Sequence, residues 1–439
     1  MAVVVSETHK AHPSGSRGGL SPVSQEWMEG SDLADRKSRG QYMTPPAVAS
    51  ALLERVGLAP GMRVLDPGAG TGELLRAALD REPGLETTGW DIDETVIGAA
   101  RRLVPEADLQ VRSALDPAAT GSGGFDLVLG NPPYFQLRLS PEERGRFAAV
   151  LSGRANIFAL FFQVGLEQLR PGGTLAYIVP PSMNSGAYFE SLREYLAARA
   201  EVVDLTILEG TDLFEGANTA IQLLVLRKHG PEPGVGRESG GSDRNPTHRF
   251  VFRREVPEAR FRRVVFSPDP ERLAGEFEGR RTLWEQGLVA TTGQVIWNEN
   301  RGRLGSSPGS GRIPLIWSHS IGEGKLKLDS TDSARGGERG FYDTRDGGRV
   351  PLTGPAIVVN RVVGAVGRGE MRAALVPEGR DFLAENHVNV IRPRGPGEPI
   401  DWERVLDSLR KPGVAGRIRL LTGNTQISAR ELTHLLPLD

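Results

Sequence analysis

The chain contains no cysteine among its 439 residues. This absence excludes disulfide scaffolds, thiolate zinc sites, iron–sulfur clusters and cysteine nucleophiles. The chain also lacks any run close to the roughly 18 consecutive apolar residues that a membrane span requires. Residues 1–20 lack the basic-then-apolar order of a secretory signal. From these absences we expect a cytoplasmic protein that has no membrane partner.

Composition and charge limit the class of protein further. Hydrophobic residues make up 38% of the chain and charged residues 25%, which is typical of soluble globular proteins. The length predicts two or three domains of about 150 residues each. Residues 1–240 carry 22 basic and 30 acidic side chains, whereas residues 241–439 carry 31 and 25. The basic second part indicates a polyanionic partner, with ordinary scatter of charge between domains as the alternative.

The first half of the chain has a regular pattern of predicted elements. The polar, glycine-rich and serine-rich residues 1–40 are predicted to be a disordered tail. After residue 41, short β-rich runs alternate with amphipathic helices, which predicts an α/β fold with a doubly wound, mostly parallel sheet. The last two strands are joined without an evident helix, so we expect an antiparallel strand at one edge. The seven predicted strands are Met62–Asp66, Glu86–Asp91, Leu109–Ser113, Phe125–Leu129, Thr174–Val179, Val202–Leu208 and Ala220–Leu226.

The second half of the chain has a different character. Residues 230–250 are rich in Gly, Pro and Ser and are predicted to be a linker. Residues 251–439 show short apolar runs, many Gly and Arg residues and few clear helices before residue 401. This pattern predicts a second domain that is α+β or β-rich.

A glycine-rich loop follows the first predicted strand. The strand ends at Asp66, and Gly68, Gly70 and Gly72 precede a helix that begins at Glu73. In a doubly wound sheet, a loop at this position binds nucleotide-like cofactors. The G-x-G-x-G spacing differs from the G-x-G-x-x-G of dinucleotide sites. A turn with a purely structural role is the alternative.

The end of the second predicted strand carries a carboxylate. Asp91 lies 19 residues after Gly72, where a carboxylate can accept hydrogen bonds from both hydroxyls of a ribose. Ile92 is predicted to lie against the face of an adenine. A solvated acidic turn that starts the next helix is the alternative, which suits Asp93 and Glu94 better than Asp91.

The fourth predicted strand leads into Asn131-Pro132-Pro133-Tyr134. The amide oxygen of Asn131 and the carbonyl oxygen of Pro132 can both accept hydrogen bonds from one exocyclic NH2 group. Tyr134 offers a face for a planar ring, and the two prolines stiffen the turn. The sequence therefore predicts a site that positions a planar amine.

Four motifs, taken in this order, resemble those of the gamma class of DNA adenine-N6 methyltransferases from bacterial restriction-modification systems. The resemblance covers about residues 40–228 and implies a class I methyltransferase sheet, with the methyltransferase domain at residues 41–229. It also implies S-adenosylmethionine as the cofactor and N6 of adenine in double-stranded DNA as the methyl acceptor. The motifs are Thr44-Pro45-Pro46, Asp66–Gly72, Gly89–Asp93 and Asn131–Tyr134.

The resemblance also implies a role for each motif residue. Thr44 would contact the amino-acid end of the cofactor, Asp66 and the glycine loop its methionine part, and Asp91 its ribose. Phe214 matches an aromatic residue that stacks on the target base together with Tyr134. The implied catalytic residues are Asn131, Pro132, Pro133 and Tyr134. The implied cofactor contacts are Thr44, Asp66, Gly68, Gly70, Gly72, Asp91, Ile92, Ser113 and Asn131.

One position departs from the family pattern. After the third strand, the family usually places an Asp that binds the cofactor adenine amine, whereas this chain has Ser113. Either Ser113 makes a weaker contact or Asp116 substitutes for the missing carboxylate.

The last part of the chain resembles the same enzymes less specifically. Residues 384–389 and 422–428 are similar to parts of their target-recognition domains, so residues 251–439 become the predicted DNA target-recognition domain. A nucleoid-associated location follows from a DNA substrate. The sequence leaves open whether a separate restriction endonuclease accompanies the enzyme.

The implied mechanism is direct methyl transfer to a base that has been flipped out of the duplex. It needs positioning more than acid–base help, so no general base is nominated. Three alternatives remain open. They are an RNA or protein-glutamine methyltransferase on the same fold, a nicotinamide-dependent oxidoreductase, and a non-catalytic DNA-binding module that retains a cofactor pocket.

Overall fold

The structure is a computed structural model. It describes residues 19–116, 123–208, 221–230, 250–256, 261–322, 326, 339–361, 371–397, 399–422 and 427–439.

The first part of the chain alternates helices and strands, as the hydrophobic pattern predicts. The helices are α1 Pro22–Glu29, α2 Leu33–Ser38, α3 Pro46–Leu53, α4 Glu73–Arg81, α5 Glu94–Leu103, α6 Pro141–Arg146, α7 Ile157–Gln168 and α8 Glu190–Arg199. The strands are β1 Arg63–Asp66, β2 Glu86–Asp91, β3 Asp108–Val111, β4 Phe125–Gly130, β5 Gln136–Leu137, β6 Ala155–Asn156, β7 Leu169–Val179, β8 Ala200–Leu208 and β9 Ile221–Lys228.

Seven of these strands form one sheet in the order β3-β2-β1-β4-β7-β9-β8. The first five strands in this order, β3, β2, β1, β4 and β7, run parallel to one another. β9 runs antiparallel to both of its neighbours, β7 and β8. This arrangement confirms the doubly wound, mostly parallel, seven-stranded sheet. The antiparallel strand was expected at the edge of the sheet, and this position is wrong. The antiparallel strand is β9, one place in from the edge, and the edge strand is β8. The helical crossover through α8 leaves a gap of one strand beside β7, and β9 fills that gap.

Alternation along β7 builds the core on both faces of the sheet. Leu175 and Tyr177 pack with α7 and α8 on one face. Ala176 and Ile178 pack with α3, α4 and α5 on the other face. A strand buried on both faces is expected in a sheet that is covered by helices on each side.

Part of the predicted disordered tail is folded, so the prediction for residues 1–40 is wrong over α1 and α2. Ser21 caps α1 by accepting the Ser24 amide, and Pro22 occupies the first turn. Ser24 is fully buried. Hydrogen bonds of Ser21 with Glu73 and of Ser24 with Thr71 hold this segment against the first turn of α4 and the glycine-rich loop. Residues 1–18 lie outside the described part of the chain.

The second part of the chain is α+β with several short strands, which confirms the expectation for residues 251–439. Its strands are β10 Val251–Val256, β11 Phe261–Phe266, β12 Leu288–Thr292, β13 Leu304–Gly305, β14 Arg312–Ile316, β15 Phe341–Asp343, β16 Leu352–Thr353, β17 Ala356–Asn360, β18 Ala373–Val376, β19 Asp381–Ala384 and β20 Val388–Pro393. Its helices are α9 Pro270–Gly275, α10 Trp402–Arg410, α11 Gly413–Thr422 and α12 Ala429–His434. A four-stranded sheet has the order β12-β20-β17-β18, and a five-stranded sheet has the order β13-β15-β14-β19-β16.

The β10–β11 hairpin lies between the two parts. Val264 and Phe266 pack into the core of the first part, whereas Val265 packs into the core of the second. The buried guanidinium of Arg193 donates hydrogen bonds to the carbonyl oxygens of Val264 and Met183. The predicted domain boundary at residue 251 therefore does not separate the two cores. The predicted linker lies mostly outside the described residues, since positions 231–249 are not among them.

Within the described ranges, no helix combines the length and the apolar character needed to cross a membrane.

Candidate functional site

The predicted site residues lie at the carboxyl ends of the parallel strands. β1 pairs with β2 and β4, and β2 pairs with β3, so all four strands finish at one edge of the sheet. Asp66, Asp91 and Asn131 stand at or just after the ends of β1, β2 and β4. The structure therefore brings together the three motifs that sequence spacing had indicated.

Backbone hydrogen bonds hold the glycine-rich loop against the two carboxylates. The amide of Gly68 donates to Oδ1 of Asp66 at 3.0 Å, and the amide of Gly70 donates to Oδ2 of Asp91 at 3.1 Å. Gly72 has a φ of +91°, and a Cβ at this position would lie 2.9 Å from Val104. A side chain would thus be strained here and would press on α5, so the loop requires glycine.

The electrostatic state of the site is set by its two aspartates. Asp66 is 1% exposed, and its burial, with a smaller contribution from Asp91, raises the pKa of Asp66 to about 7. Burial also raises the pKa of Asp91, although the amides of Asp93 and Gly70 oppose this shift. Paired carboxylates that resist ionisation favour a cationic group beside them, because the cation removes the cost of burying negative charge.

The predicted adenine subsite lies beside Asp91. The side chain of Ile92 is 71% exposed and so is available to cover a planar ring. The amide of Arg112 donates to the carbonyl oxygen of Asp91 at 2.8 Å, which places the turn after β3 next to β2. Oγ of Ser113 accepts the amide of Leu115 at 3.2 Å, and the amide of Asp116 donates to the carbonyl oxygen of Ser113. Ser113 and Asp116 thus share this turn, and the choice between them stays a prediction.

The segment before α3 crosses the end of β4. Nδ2 of Asn131 donates to the carbonyl oxygen of Tyr42 at 3.1 Å and to Oγ1 of Thr44 at 3.3 Å. The hydroxyl of Thr71 donates to Sδ of Met43 at 3.1 Å. Residues 42–44 therefore orient the Asn131 amide, and its Oδ1 is left as the acceptor. Thr44 was predicted at this site, whereas Tyr42 and Met43 were missed although they directly precede it.

Helix α1 adds contacts to the cofactor side of the site that the sequence did not predict. Oγ of Ser24 lies 2.6 Å from Oγ1 of Thr71, within the glycine-rich loop. The amide and hydroxyl of Ser21 donate to Glu73 at 2.9 and 2.7 Å, and the indole of Trp27 donates to Thr95 at 3.2 Å. Ser21-Pro22 is a helix-start signal that could have revealed α1, but no sequence signal indicates where the helix packs.

The predicted acceptor oxygen, Oδ1 of Asn131, is contacted by a neighbouring side chain. The hydroxyl of Tyr134 is 2.6 Å from Oδ1 of Asn131 and 2.6 Å from the carbonyl oxygen of Ile178. Its ring meets Phe158 edge-on, with ring centroids 6.1 Å apart. Burial raises the pKa of Tyr134 well above its usual range, so the phenol is protonated and donates. Stacking of Tyr134 on a base stays a prediction, and it requires this side chain to turn.

The remaining predicted residues of the turn are also near this oxygen. Pro132 is buried and Pro133 is half-buried between Asn131 and Tyr134. Phe214, the second predicted stacking residue, lies outside the described part of the chain.

Comparisons with known proteins agree with the motif resemblance. Residues 92–214 match the Eco57I restriction-modification methylase family. The modification methylase CviBIII of Paramecium bursaria Chlorella virus NC1A is 27% identical over 208 residues, which are 46% of this chain and 53% of that protein. The type II methyltransferase M.TthHB8I of Thermus thermophilus is 30% identical over 213 residues, which are 45% of this chain and 47% of that protein.

A solved structure also aligns with part of the chain. The type I restriction-modification system methyltransferase subunit from Streptococcus thermophilus covers 43% of this chain and 45% of its own, at 22% identity and a TM-score of 0.37. The chain spans about half the length of the curated relatives it matches. The family match and the two curated relatives confirm the resemblance to restriction-modification methylases.

Proposed function

We propose that this protein is an S-adenosylmethionine-dependent methyltransferase that acts on N6 of a flipped adenine in duplex DNA. The observation that carries the proposal is the position of Asn131. Its amide oxygen is a neutral acceptor at the end of β4, and the hydroxyl oxygen of Tyr134 lies within hydrogen-bond distance of it, at 2.6 Å. The same edge carries the two buried carboxylates at the ends of β1 and β2. A site for an amine thus adjoins a site for a cationic cofactor.

The donor set fits S-adenosylmethionine. The sulfonium and ammonium groups of this molecule are positive, and Asp66 and Asp91 supply carboxylates whose ionisation a nearby cation favours. Exposed Ile92 suits the adenine ring. The proposed contacts are Thr44, Asp66, Gly68, Gly70, Gly72, Asp91, Ile92, Ser113 and Asn131. A nicotinamide cofactor fits less well, because its pyrophosphate would bring negative charge to two acidic side chains.

The acceptor side of the mechanism is one of positioning. Oδ1 of Asn131 and the carbonyl oxygen of Pro132 hold the exocyclic amine, and Tyr134 and Phe214 stack on the ring. Bound S-adenosylmethionine supplies an electrophilic methyl group. Fixing the amine in line with that group reduces the entropic part of the barrier, so the chain needs no general base at this point. The neutral acceptors orient the amine without removing its proton beforehand.

Three features support duplex DNA as the substrate. Residues 92–214 match a restriction-modification methylase family, and two relatives are described as modification methylases or type II methyltransferases. The second part of the chain is basic, with 31 basic and 25 acidic residues after position 240. We assign residues 251–439 to target recognition and the whole protein to the modification half of a restriction-modification system, with or without a separate endonuclease. RNA or a protein glutamine is the second candidate substrate, because an amide NH2 also suits Asn131.

The test is methylation by the purified protein and by Asn131→Ala. The substitution removes one preorganised acceptor, so we expect the rate of methyl transfer to fall by about 10²–10³-fold. Cofactor affinity, measured by calorimetry, should fall much less than the rate, because Asn131 is only one of the nine proposed cofactor contacts. Full activity of Asn131→Ala would refute the assignment of this side chain.

The product identifies the substrate. Duplex DNA, RNA transcripts and denatured protein are each incubated with labelled S-adenosylmethionine, and the modified residue is identified by mass spectrometry. We expect N6-methyladenine in duplex DNA. N4-methylcytosine would correct the base and keep the architecture, whereas label only in RNA or in glutamine would replace the proposed substrate.

A further inference from the structure

Both large sheets of the second part end at a common edge around residues 385–387. β19 ends at Ala384 beside Ile316, the last residue of β14. β20 begins at Val388, which pairs with the last residue of β17, and its next residue pairs with the last residue of β12. We call this the recognition edge. The segments that meet at this edge carry the side chains of Trp297, Trp317, His319, Arg361, Arg372 and His387.

A short series of contacts links the recognition edge to the acceptor site. Nδ2 of Asn389 donates to the carbonyl oxygen of Ile427 at 3.3 Å, just before α12. Glu431 in α12 accepts a hydrogen bond from the hydroxyl of Ser185, and Arg430 forms a 3.1 Å ion pair with Glu190. Ser185 follows β7, which supplies the carbonyl oxygen that Tyr134 contacts. These contacts join the start of β20, next to the recognition edge, to the segment that follows β7.

The edge contains a buried carboxylate that the proposed chemistry does not use. Glu385 is 1% exposed, whereas the side chain of His387 is 53% exposed. The amide of His387 donates to Oε2 of Glu385 at 2.8 Å, and Nδ1 of His387 lies 2.8 Å from Oε1. Burial of an ionised carboxylate costs free energy unless hydrogen bonds compensate. Both of these bonds come from His387.

This geometry determines what His387 presents to solvent. We assign the hydrogen to Nδ1 of His387, because a carboxylate only accepts hydrogen bonds and Nδ1 lies within reach of both oxygens of Glu385. In the neutral imidazole, Nε2 is then an acceptor on the exposed side of the ring. A rotation of the ring by 180° would put Cδ2 in the place of Nδ1 and leave buried Glu385 without one of its donors.

The backbone fixes the position of this turn. The amide of Asn386 donates to the carbonyl oxygen of Val295 at 3.0 Å. A Cβ at Gly293 would lie 2.1 Å from the carbonyl oxygen of Glu385, so only glycine permits this close approach. His387 therefore stands on a rigid turn, as a base-reading residue must.

The surroundings of His387 suit a nucleic acid. The guanidinium groups of Arg301 and Arg339 lie 5.0 and 4.6 Å from the ring centroid of Trp297. Arg361 and Arg372 have no carboxylate partner among the residues that the structure describes. Guanidinium groups that have no carboxylate partner among the described residues favour contacts with phosphate groups over contacts with an apolar protein surface.

We propose that the recognition edge faces the DNA duplex and that His387, oriented by Glu385, reads one base of the target sequence. Its Nε2 accepts a hydrogen bond from the exocyclic amine of cytosine or adenine in the major groove. This inference rests on the proposed function, because it names a specificity determinant of the same reaction. Arg361 and Arg372 are the neighbouring positions for phosphate contacts.

The experiment compares methylated motifs. Wild type, His387→Ala, His387→Gln and Glu385→Gln are expressed in a host that lacks DNA methylation, and the methylated sequences are read by single-molecule sequencing. His229→Ala is the matched control, since His229 is an exposed histidine outside the recognition edge. Calorimetry with S-adenosylmethionine shows that each variant is folded. His387→Gln keeps a donor for buried Glu385 and so guards against loss of the fold.

We expect both His387 variants to lose about tenfold or more in discrimination at one position of the motif. The other positions should keep their preference, Glu385→Gln should show a smaller loss at the same position, and the control should match wild type. An unchanged motif in folded His387 variants would overturn the proposal, and so would an equal loss of rate at every site, which indicates a phosphate contact. Absence of DNA methylation by the wild type would instead refute the proposed function.

Discussion

The hydroxyl of Tyr134 lies 2.6 Å from Oδ1 of Asn131, on the oxygen that is proposed to hold the substrate amine. A second acceptor, the carbonyl oxygen of Ile178, lies at the same distance. Tyr134 thus occupies the acceptor site with a donor of its own. In the proposed mechanism this hydroxyl competes with the flipped base for Oδ1 of Asn131, and its movement would free the ring for stacking.

Tyr134→Phe should make the acceptor site easier to enter. The substitution removes the competing hydroxyl and keeps the ring, so the apparent affinity for a flipped base should rise by several-fold. Tyr134→Ala should instead weaken binding by about 1–3 kcal/mol if stacking resembles that on single strands. DNA with 2-aminopurine at the target position reports both effects through its fluorescence on flipping.

Tyr177→Phe is the matched control for this comparison. Tyr177 is also buried, and its hydroxyl donates to the carbonyl oxygen of Phe161 at 3.2 Å rather than to Asn131. The Tyr177→Phe variant should lose about 1 kcal/mol in its free energy of unfolding, and its 2-aminopurine fluorescence should match that of wild type. Equal fluorescence from Tyr134→Phe and wild type would show that the hydroxyl does not compete with the base.

Cofactor affinity should depend on pH through Asp66, whose pKa is raised to about 7. A cation binds the ionised carboxylate better, so affinity should increase as the pH rises through 7. Below pH 7, binding should release a proton, which calorimetry in buffers of different ionisation enthalpy detects. Asp66→Asn should bind weakly and with little pH dependence. A flat profile for the wild type would contradict the assignment of Asp66 to a cationic ligand.

The carboxyl group of Asp66 should lower the stability of the ligand-free protein as the pH rises, although it should raise the cofactor affinity. The folded-state pKa of Asp66 lies above the unfolded value of 3.8. The contribution of protonated Asp66 to the free energy of unfolding is therefore fully present below about pH 4, and it is lost as the pH rises through 7. The difference of about three between the folded and unfolded pKa values limits this loss of stability to about 4 kcal/mol. Between pH 5 and 8, the free energy of unfolding of the ligand-free wild type should fall relative to that of Asp66→Asn, as measured by urea titration.

Helix α1 should contribute to cofactor binding through Ser24. Ser24→Ala removes the buried contact to Thr71 and should cost about 1 kcal/mol, or a several-fold loss of affinity. Deletion of residues 1–31 should weaken binding more than tenfold, because it removes every contact of α1 with the glycine-rich loop. Gln25→Ala, on the exposed side of α1, is the control. Wild-type affinity in the deletion variant would exclude this role.

The β10–β11 hairpin should stabilise the first part of the chain. A fragment of residues 19–268 retains Val264 and Phe266 in the first core, whereas a fragment of residues 19–228 exposes the surface that they cover. The longer fragment should have a melting temperature several degrees higher. Both fragments should bind the cofactor and lose site-specific DNA binding. Equal melting temperatures would show that the hairpin belongs energetically to the second part.

The meeting of three predicted site residues at one edge of the sheet could be predicted from the sequence. Asp66 and Asn131 follow short apolar runs, and Asp91 ends the short β-rich run Glu86–Asp91. The alternation of such runs with helices indicates parallel strands. Because the carboxyl ends of parallel strands share one edge, three local patterns were sufficient to place three distant residues together. The glycine spacing and the Asn131–Tyr134 turn are local patterns of the same kind.

Other features depended on contacts between residues far apart in the sequence. Ser24 meets Thr71, 47 positions away, and a polar helix without apolar periodicity gives no sign of such packing. The insertion of β9 between β7 and β8 follows from strand pairing across the sheet, which hydrophobic pattern does not encode. The contact between Tyr134 and Asn131 depends on the rotamer of Tyr134. The carbonyl oxygen of Ile178 and the ring of Phe158 stabilise that rotamer. Tertiary structure also buried Glu385 beneath His387, because burial depends on which loops meet at the end of two separate sheets.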